Sequence, residues 1–183
     1  MYFFTIFVKN ILLLSTVVKN MRDGSLTIKD GTGTPLSITV QFDTGDFSIT
    51  GLKAKLAETT AYETRGQLRT VRHTTRIYPT GSFTAYMAEF SENSVGTLAD
   101  AILKNGTVWA AAISTDAGGA NADVYLCDLE FTCEGTDYGD ASDHVFGMTK
   151  CECVIDFSEN DPNSFSVAFT CYGALTGGLA TTE

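Results

Sequence analysis

From Leu26 onward the chain is made of short runs in which apolar and polar residues alternate, cut by Gly, Asp and Asn. Leu36, Ile38, Val40 and Phe42 alternate with Ser37, Thr39 and Gln41, the two-residue period of a strand with one buried face. With LTIKD before the turn at Gly31 to Pro35 and DFSIT after the turn at Asp43 to Gly45, this segment reads as the start of a meander. Residues 52–66 mix helix formers with Thr pairs and read as a loop or irregular excursion. The Thr, Val and Ile content of residues 67–78 predicts a strand. In SFTAYMAEF, Phe83, Ala85, Met87 and Glu89 alternate with Thr84, Tyr86, Ala88 and Phe90, so both faces are expected to be partly buried.

One segment breaks the period. In SVGTLADAILKNG, Val95, Leu98, Ala99 and Ile102 recur at helical spacing, Ser94 is placed to cap the start and Asn105-Gly106 to stop it. A helix over residues 94–104 follows. Beyond TVWAAAIS come the strand DVYLCDLEFTCEG, the acidic loop TDYGDASDH, a strand around Lys150 to Phe157, a turn at Asn160 to Asn163, and the strand SFSVAFTCYG. The fold class expected is mainly β, a sandwich or barrel of antiparallel strands with one packed α-helix.

The first 20 residues are a separate unit, strongly apolar, carrying Lys9 and Lys19 and no acid. Lys9-Asn10 splits the apolar run in two, and no small-residue cleavage site closes it, so neither a secretory signal nor a membrane span is favoured. The expected organisation is an apolar arm over 1–20 and a single β domain over 21–183. At 183 residues and 44% apolar content the chain can bury a core without disulfide staples. Its five cysteines are an odd number and read as reduced thiols.

Charge sharpens the picture. The formal net charge is −10, which disfavours tight binding to nucleic acid through phosphate neutralisation. Residues 52–76 nevertheless hold Lys53, Lys55, Arg65, Arg69, Arg72 and Arg76 against two acids, whereas residues 116–163 hold twelve acids against Lys150 alone. Isolated charge runs usually form solvated faces. Runs of opposite sign also suit contacts between copies, and a contact between unlike patches is heterologous and propagates as rings or stacks. Carboxylates are the targets expected for the arginines.

Catalytic and ligand chemistry is sparse. His73 and His144 lack any nucleophile signature, Gly31-Thr-Gly33 lacks the rest of a dinucleotide loop, and no phosphate-binding P-loop occurs. Cys151-Glu-Cys153 with Cys127 and Cys133 reads as small core residues on strands, since structural zinc prefers pairs on turns. Asp137, Asp140 and Asp143 could supply oxygen to calcium but lack the EF-hand spacing. No enzymatic activity, cofactor or metal is expected.

Three blocks, MRDGSLTIKDGTGTPLSITVQFDTGDFSI, then PTGSFTAYMAEF with TLADAILKNG, then DLEFTCEGTDYGDASDHVFGMTKCECVIDFSENDPNSFSVAFTCYG, together resemble the tail tube proteins of long-tailed bacteriophages. The resemblance covers most of residues 22–173. It implies a virion structural protein, assembled in the host bacterial cytoplasm, whose hexameric rings stack into a hollow conduit through which DNA passes without tight binding. It further implies contacts with itself and with other tail proteins such as the tape measure and tail terminator, and no membrane partner. Subunit-interface candidates are Lys53, Lys55, Arg65, Arg69, Arg72, Arg76, Asp137, Asp140 and Asp143, together with the N-terminal arm. Two other functions fit the same residues: a capsid decoration or cement protein, and a secreted carbohydrate-binding or adhesive β-sandwich.

Overall fold

The computed structural model describes residues 24–40, 46–52, 57–86, 97–136, 139, 141–159 and 161–177. Seven antiparallel strands form one sheet: β1 (Ser25–Lys29), β2 (Ser37–Val40), β3 (Ser48–Thr50), β6 (Thr80–Tyr86), β7 (Cys127–Cys133), β8 (His144–Ser158) and β9 (Ser164–Cys171). Their order across the sheet is β2-β1-β7-β8-β9-β6-β3. The remaining strands, β4 (Ala57–Thr64) and β5 (Gln67–Arg76), pair with each other as a separate hairpin. The protein is mainly β, as its alternating pattern requires.

Strands β2 and β3 are consecutive in the chain yet form opposite edges of the sheet. If flat, seven strands would set those edges about 29 Å apart. The eight steps from Val40 to Ser48 reach about 26–29 Å at full extension, which leaves a flat sheet no slack, and one core cluster draws side chains from β1, β2, β6, β7, β8 and β9 with Ile49 of β3 packed against it, so the sheet curls. Phe47 marks the crossing: its ring stacks on Phe131 of β7 at 4.9 Å and on Phe169 of β9 at 6.0 Å. The concave face therefore holds the core, filled by Leu26, Ile28, Phe83, Phe131, Met148 and Val167, each at most 1% exposed. The architecture is an incomplete barrel with α1 packed on it.

Phase along β8 changes at a bulge. Leu129 pairs with Met148 and Cys127 with Cys151, so one residue of β7 faces two of β8 between them. Lys150 takes φ 55° there, and its N–H donates to the Asp128 carboxylate at 2.9 Å. The bulge lets Met148 and Cys151 both point inward although they are three positions apart, an offset that puts residues on opposite faces of a regular strand. Accordingly β8 begins at His144, not near Lys150 as the alternation suggested.

The helix is shorter than its expected span. Helix α1 covers Leu98–Leu103, capped by Thr97, whose Oγ1 accepts from the Asp100 N–H while the Asp100 carboxylate accepts from the Thr97 N–H. Ser94 lies outside the described residues, and the cap falls three positions later than its pattern suggested because Thr97 and Asp100 form a reciprocal capping box. Lys104, at φ 53°, ends the helix one residue before Asn105-Gly106, and α2 (Gly106–Trp109) follows at once, burying Trp109 completely. Thr97→Ala should cost about 1 kcal/mol and lower the thermal midpoint by about 3 °C; an unchanged melting curve would deny the cap its role.

Strand β6 also differs from expectation. Phe83 and Ala85 are buried, while on the other face Thr84 is half-buried between exposed Ser82 and Tyr86, so among its described residues one face is fully buried and the other only partly covered.

Candidate functional site

The chain turns out of the sheet at residue 57 and returns at residue 76 as the β4–β5 hairpin. Residues 57–64, expected as loop, are strand. Thr59, Thr60, Tyr62 and Thr64 supply β-branched and aromatic positions, and Arg65-Gly66, at φ 53° and 75°, close the hairpin with both central residues left-handed. Such a turn matches the twist of a two-stranded ribbon, and Gly66 tolerates it without strain.

All ten residues of β5 are exposed. Tyr62, Leu68 and Val71 are 49%, 60% and 53% exposed, a large apolar area for a surface ribbon. Isolated two-stranded hairpins are marginal in water, so this one has a surface to cover. Its charge is equally uncovered: Arg65 and Arg69 have no ion pair among the described residues, and Arg72 and Arg76 meet only the rings of Tyr62 at 6.0 Å and Tyr78 at 5.1 Å. Every described arginine of the chain lies on this ribbon.

The root of the ribbon is fixed to the sheet through a relay of side chains. Arg76 lies over Tyr78, Tyr78 meets Tyr172 edge-on at 4.8 Å, and the Tyr172 hydroxyl donates to the Glu152 carboxylate at 2.9 Å. That hydrogen bond to a carboxylate raises the Tyr172 phenol above its usual range. Nothing in the sequence pointed to this contact, because Tyr78, in the link between β5 and β6, and Glu152, on β8, are far apart in the chain and are joined only through Tyr172, just past the end of β9.

The acidic residues divide into two sets. One is spent within the fold: Asp116 pairs with Lys150 at 3.1 Å and Glu130 with Lys29 at 2.8 Å. Asp143 accepts from the Gly135 N–H, the Thr136 N–H and the Thr136 hydroxyl. Those backbone donors hold its carboxyl below the usual range. Its acceptor sites thus tie the end of the loop to its start just past β7, so part of the Asp143 carboxylate is already used within the loop. The second set, Asp156, Glu159 and Asp161, is exposed at the far end of the β8–β9 hairpin with no partner among the described residues.

The nine interface candidates therefore separate. Arg65, Arg69, Arg72 and Arg76 share the ribbon, Arg65 in its turn and the others on β5. Asp143 lies on the loop before β8, and Lys53, Lys55, Asp137 and Asp140 lie outside the described residues, as does the 1–20 arm. Both histidines are exposed, His144 edge-on to Phe146 at 4.7 Å.

All five cysteines are free and four are buried. Cys127 Sγ lies 3.6 Å from Cys153 Sγ, and the hydrogen bond with that neighbouring thiol, followed by burial, pushes the Cys153 thiol up. They fill the core under β7, β8 and β9, the place the alternation assigned them.

The sheet has two further exposed features. Its edges, β2 and β3, are short and unpaired on their outer sides among the described strands. Beside β3, the outward face carries Ser48 against Ser82 at 3.2 Å and Thr50 against Thr80 at 3.3 Å, a strip of paired hydroxyls.

No known protein family's sequence profile matches the chain, and no curated protein matches it. Among solved structures it is similar to a chain of the anti-feeding prophage (AFP) baseplate, determined by cryo-EM and six-fold symmetrised. The TM-score is 0.44 at 10% identity, over 90% of this chain and 97% of that one. A likeness at this level leaves the function to be argued from the residues themselves.

Proposed function

We propose that the chain is a tail tube subunit of a long-tailed bacteriophage, a structural virion protein whose copies close into rings that stack as a conduit for DNA. The observation that carries this reading is the β4–β5 ribbon, wholly exposed along β5, apolar in part, and bearing arginines that have no ion pair among the described residues. Such a surface calls for a protein partner. The three blocks that resemble tail tube proteins contain the seven strands of the curled sheet, all but Thr50 of β3 and Cys127 of β7, and the helix packed on it, while the ribbon falls between the first block and the second.

Two open edges at opposite ends of one sheet suit head-to-tail closure, with β2 of one copy beside β3 of the next. Edge strands are templates for pairing, and heterologous pairing that closes gives a ring. The hydroxyl strip beside β3 offers DNA a wall without cations, where a basic wall would bind phosphate and slow passage. Tape measure and terminator proteins are the further partners of this reading.

Negative-stain microscopy and sedimentation velocity on the purified protein test it, with and without residues 1–20. Rings or tubes are the expected result. A protein that stays monomeric at high concentration in both forms overturns the reading, and particles that contain the protein in heads lacking tails favour the capsid alternative.

A further inference from the structure

The ribbon's receptor can be found by elimination. An exposed cationic ribbon is best met by carboxylates whose hydrogen-bonding capacity is not already used. Among the described acids of residues 116–163, Asp116 and Glu130 hold lysines, Asp128 accepts from the Lys150 N–H, Glu152 accepts from Tyr172, and Glu134 and Asp143 are tied to Thr136. Asp123 stands alone. Asp156, Glu159 and Asp161 are the one group of exposed acids left together, and no base lies between Glu152 and Asp161 to neutralise them.

Two independent features mark the same place. Beyond Cys151, β8 pairs with β9 but no longer with β7, so residues 152–158 run past the neighbouring strand. Val154 and Phe157 there are 59% and 53% exposed. The end of the β8–β9 hairpin thus offers an acidic, partly apolar surface, while the ribbon offers a basic, partly apolar one. Both are exposed in the same chain, so neither covers the other.

We propose that the β4–β5 ribbon of one copy docks on the β8–β9 end of a second copy, with Arg65, Arg69 and Arg72 facing Asp156, Glu159 and Asp161. The inference rests on the self-assembly reading and names the two surfaces that meet. The contact joins unlike patches, so each copy both gives a ribbon and receives one, and the chain of contacts propagates. Tyr62, Leu68 and Val71 are covered in the same step as Val154 and Phe157. Charge steers the encounter and fixes the register, and the contact weakens as salt rises.

Charge reversal tests this in full-length protein. R69E/R72E makes both surfaces acidic, and D156K/E159K makes both basic; all four positions are exposed, and circular dichroism checks that each variant is folded. Each variant alone should need about tenfold or more protein for half-assembly by sedimentation velocity. An equimolar mixture of the two should assemble near the wild-type concentration, because each acidic ribbon then finds a basic receptor and each basic ribbon an acidic one. If wild type assembles but either variant is unaffected, or the mixture fails to recover, the docking is wrong and the self-assembly reading stands. A wild type that never assembles sinks both.

Discussion

Asp30→Ala should lower stability by about 3–5 kcal/mol and the thermal midpoint by roughly 10 °C. Asp30 is 3% exposed, and its carboxylate accepts four hydrogen bonds. The Leu36 N–H at 2.7 Å, the Thr32 hydroxyl at 2.8 Å and the Thr32 N–H at 3.3 Å meet one oxygen, and the Ile113 N–H at 3.0 Å meets the other. The residue thereby shapes the turn between β1 and β2 and ties it to the segment entering β7, 83 positions away. Removing the carboxylate strands several donors, and a stranded buried donor costs more than the bond it made. Asp30→Asn, which keeps one acceptor oxygen, should lose about half as much. Should the alanine variant melt within about 2 °C of wild type, under about 1 kcal/mol, the carboxylate is not the knot described.

Gly81→Ala should cost about 2–3 kcal/mol and release β3 from the sheet. A Cβ built on Gly81 would sit 2.3 Å from the Ser48 carbonyl oxygen and 2.3 Å from the Phe169 ring. Both neighbours are constrained: Ser48 belongs to the paired edge strand, and Phe169 is 3% exposed in the core. The cheaper escape is for the three-residue β3 to move outward, since it pairs on one side only. Loss of β3 removes one edge on which ring closure is proposed to depend, so assembly should fall with stability. Gly33→Ala supplies the control, because nothing lies within 4 Å of a Cβ there. Equal melting of the two variants, with β3 amides equally protected from exchange, would contradict the account.

The proposed assembly joins these stability elements to the surface. Tyr78, Tyr172 and Glu152 hold the ribbon's root against β8 and β9, the pair of strands whose far end is the proposed receptor. The donor and acceptor surfaces of one subunit are thus built on the same framework, which suits a particle in which each contact must reproduce the last.

Local pattern made much of this legible. The alternation at Leu36 to Phe42 located β2, the spacing around Leu98 and Ile102 located the helix, and the segregation of charge singled out the arginines now found together on one ribbon. Other elements were hidden for specific reasons. The start of β8 was masked by the bulge at Lys150, which shifts the inward phase between Met148 and Cys151. The described side chains of β4, residues 58–64, are all exposed, so the strand lacks the one-sided pattern by which strands are recognised, and its Arg65-Gly66 turn is less distinctive than Asn-Gly. Asp143 carries the same formal charge as Asp156, and only hydrogen-bond partners distinguish a used carboxylate from an unused one.

The sequence by itself determined that the protein is a β fold with one helix, that its cysteines belong to the interior, and that positive and negative charge sit on different stretches of chain. Those properties follow from residue type and spacing, which act over one strand or one helical turn. Tertiary structure alone decided that β2 and β3 become the two edges of a curled sheet, that Glu152 meets Tyr172, and that Asp156, Glu159 and Asp161 are left without partners among the described residues. Each depends on which distant strands lie side by side, and strand order is set by the packing of the whole core rather than by any local stretch of residues.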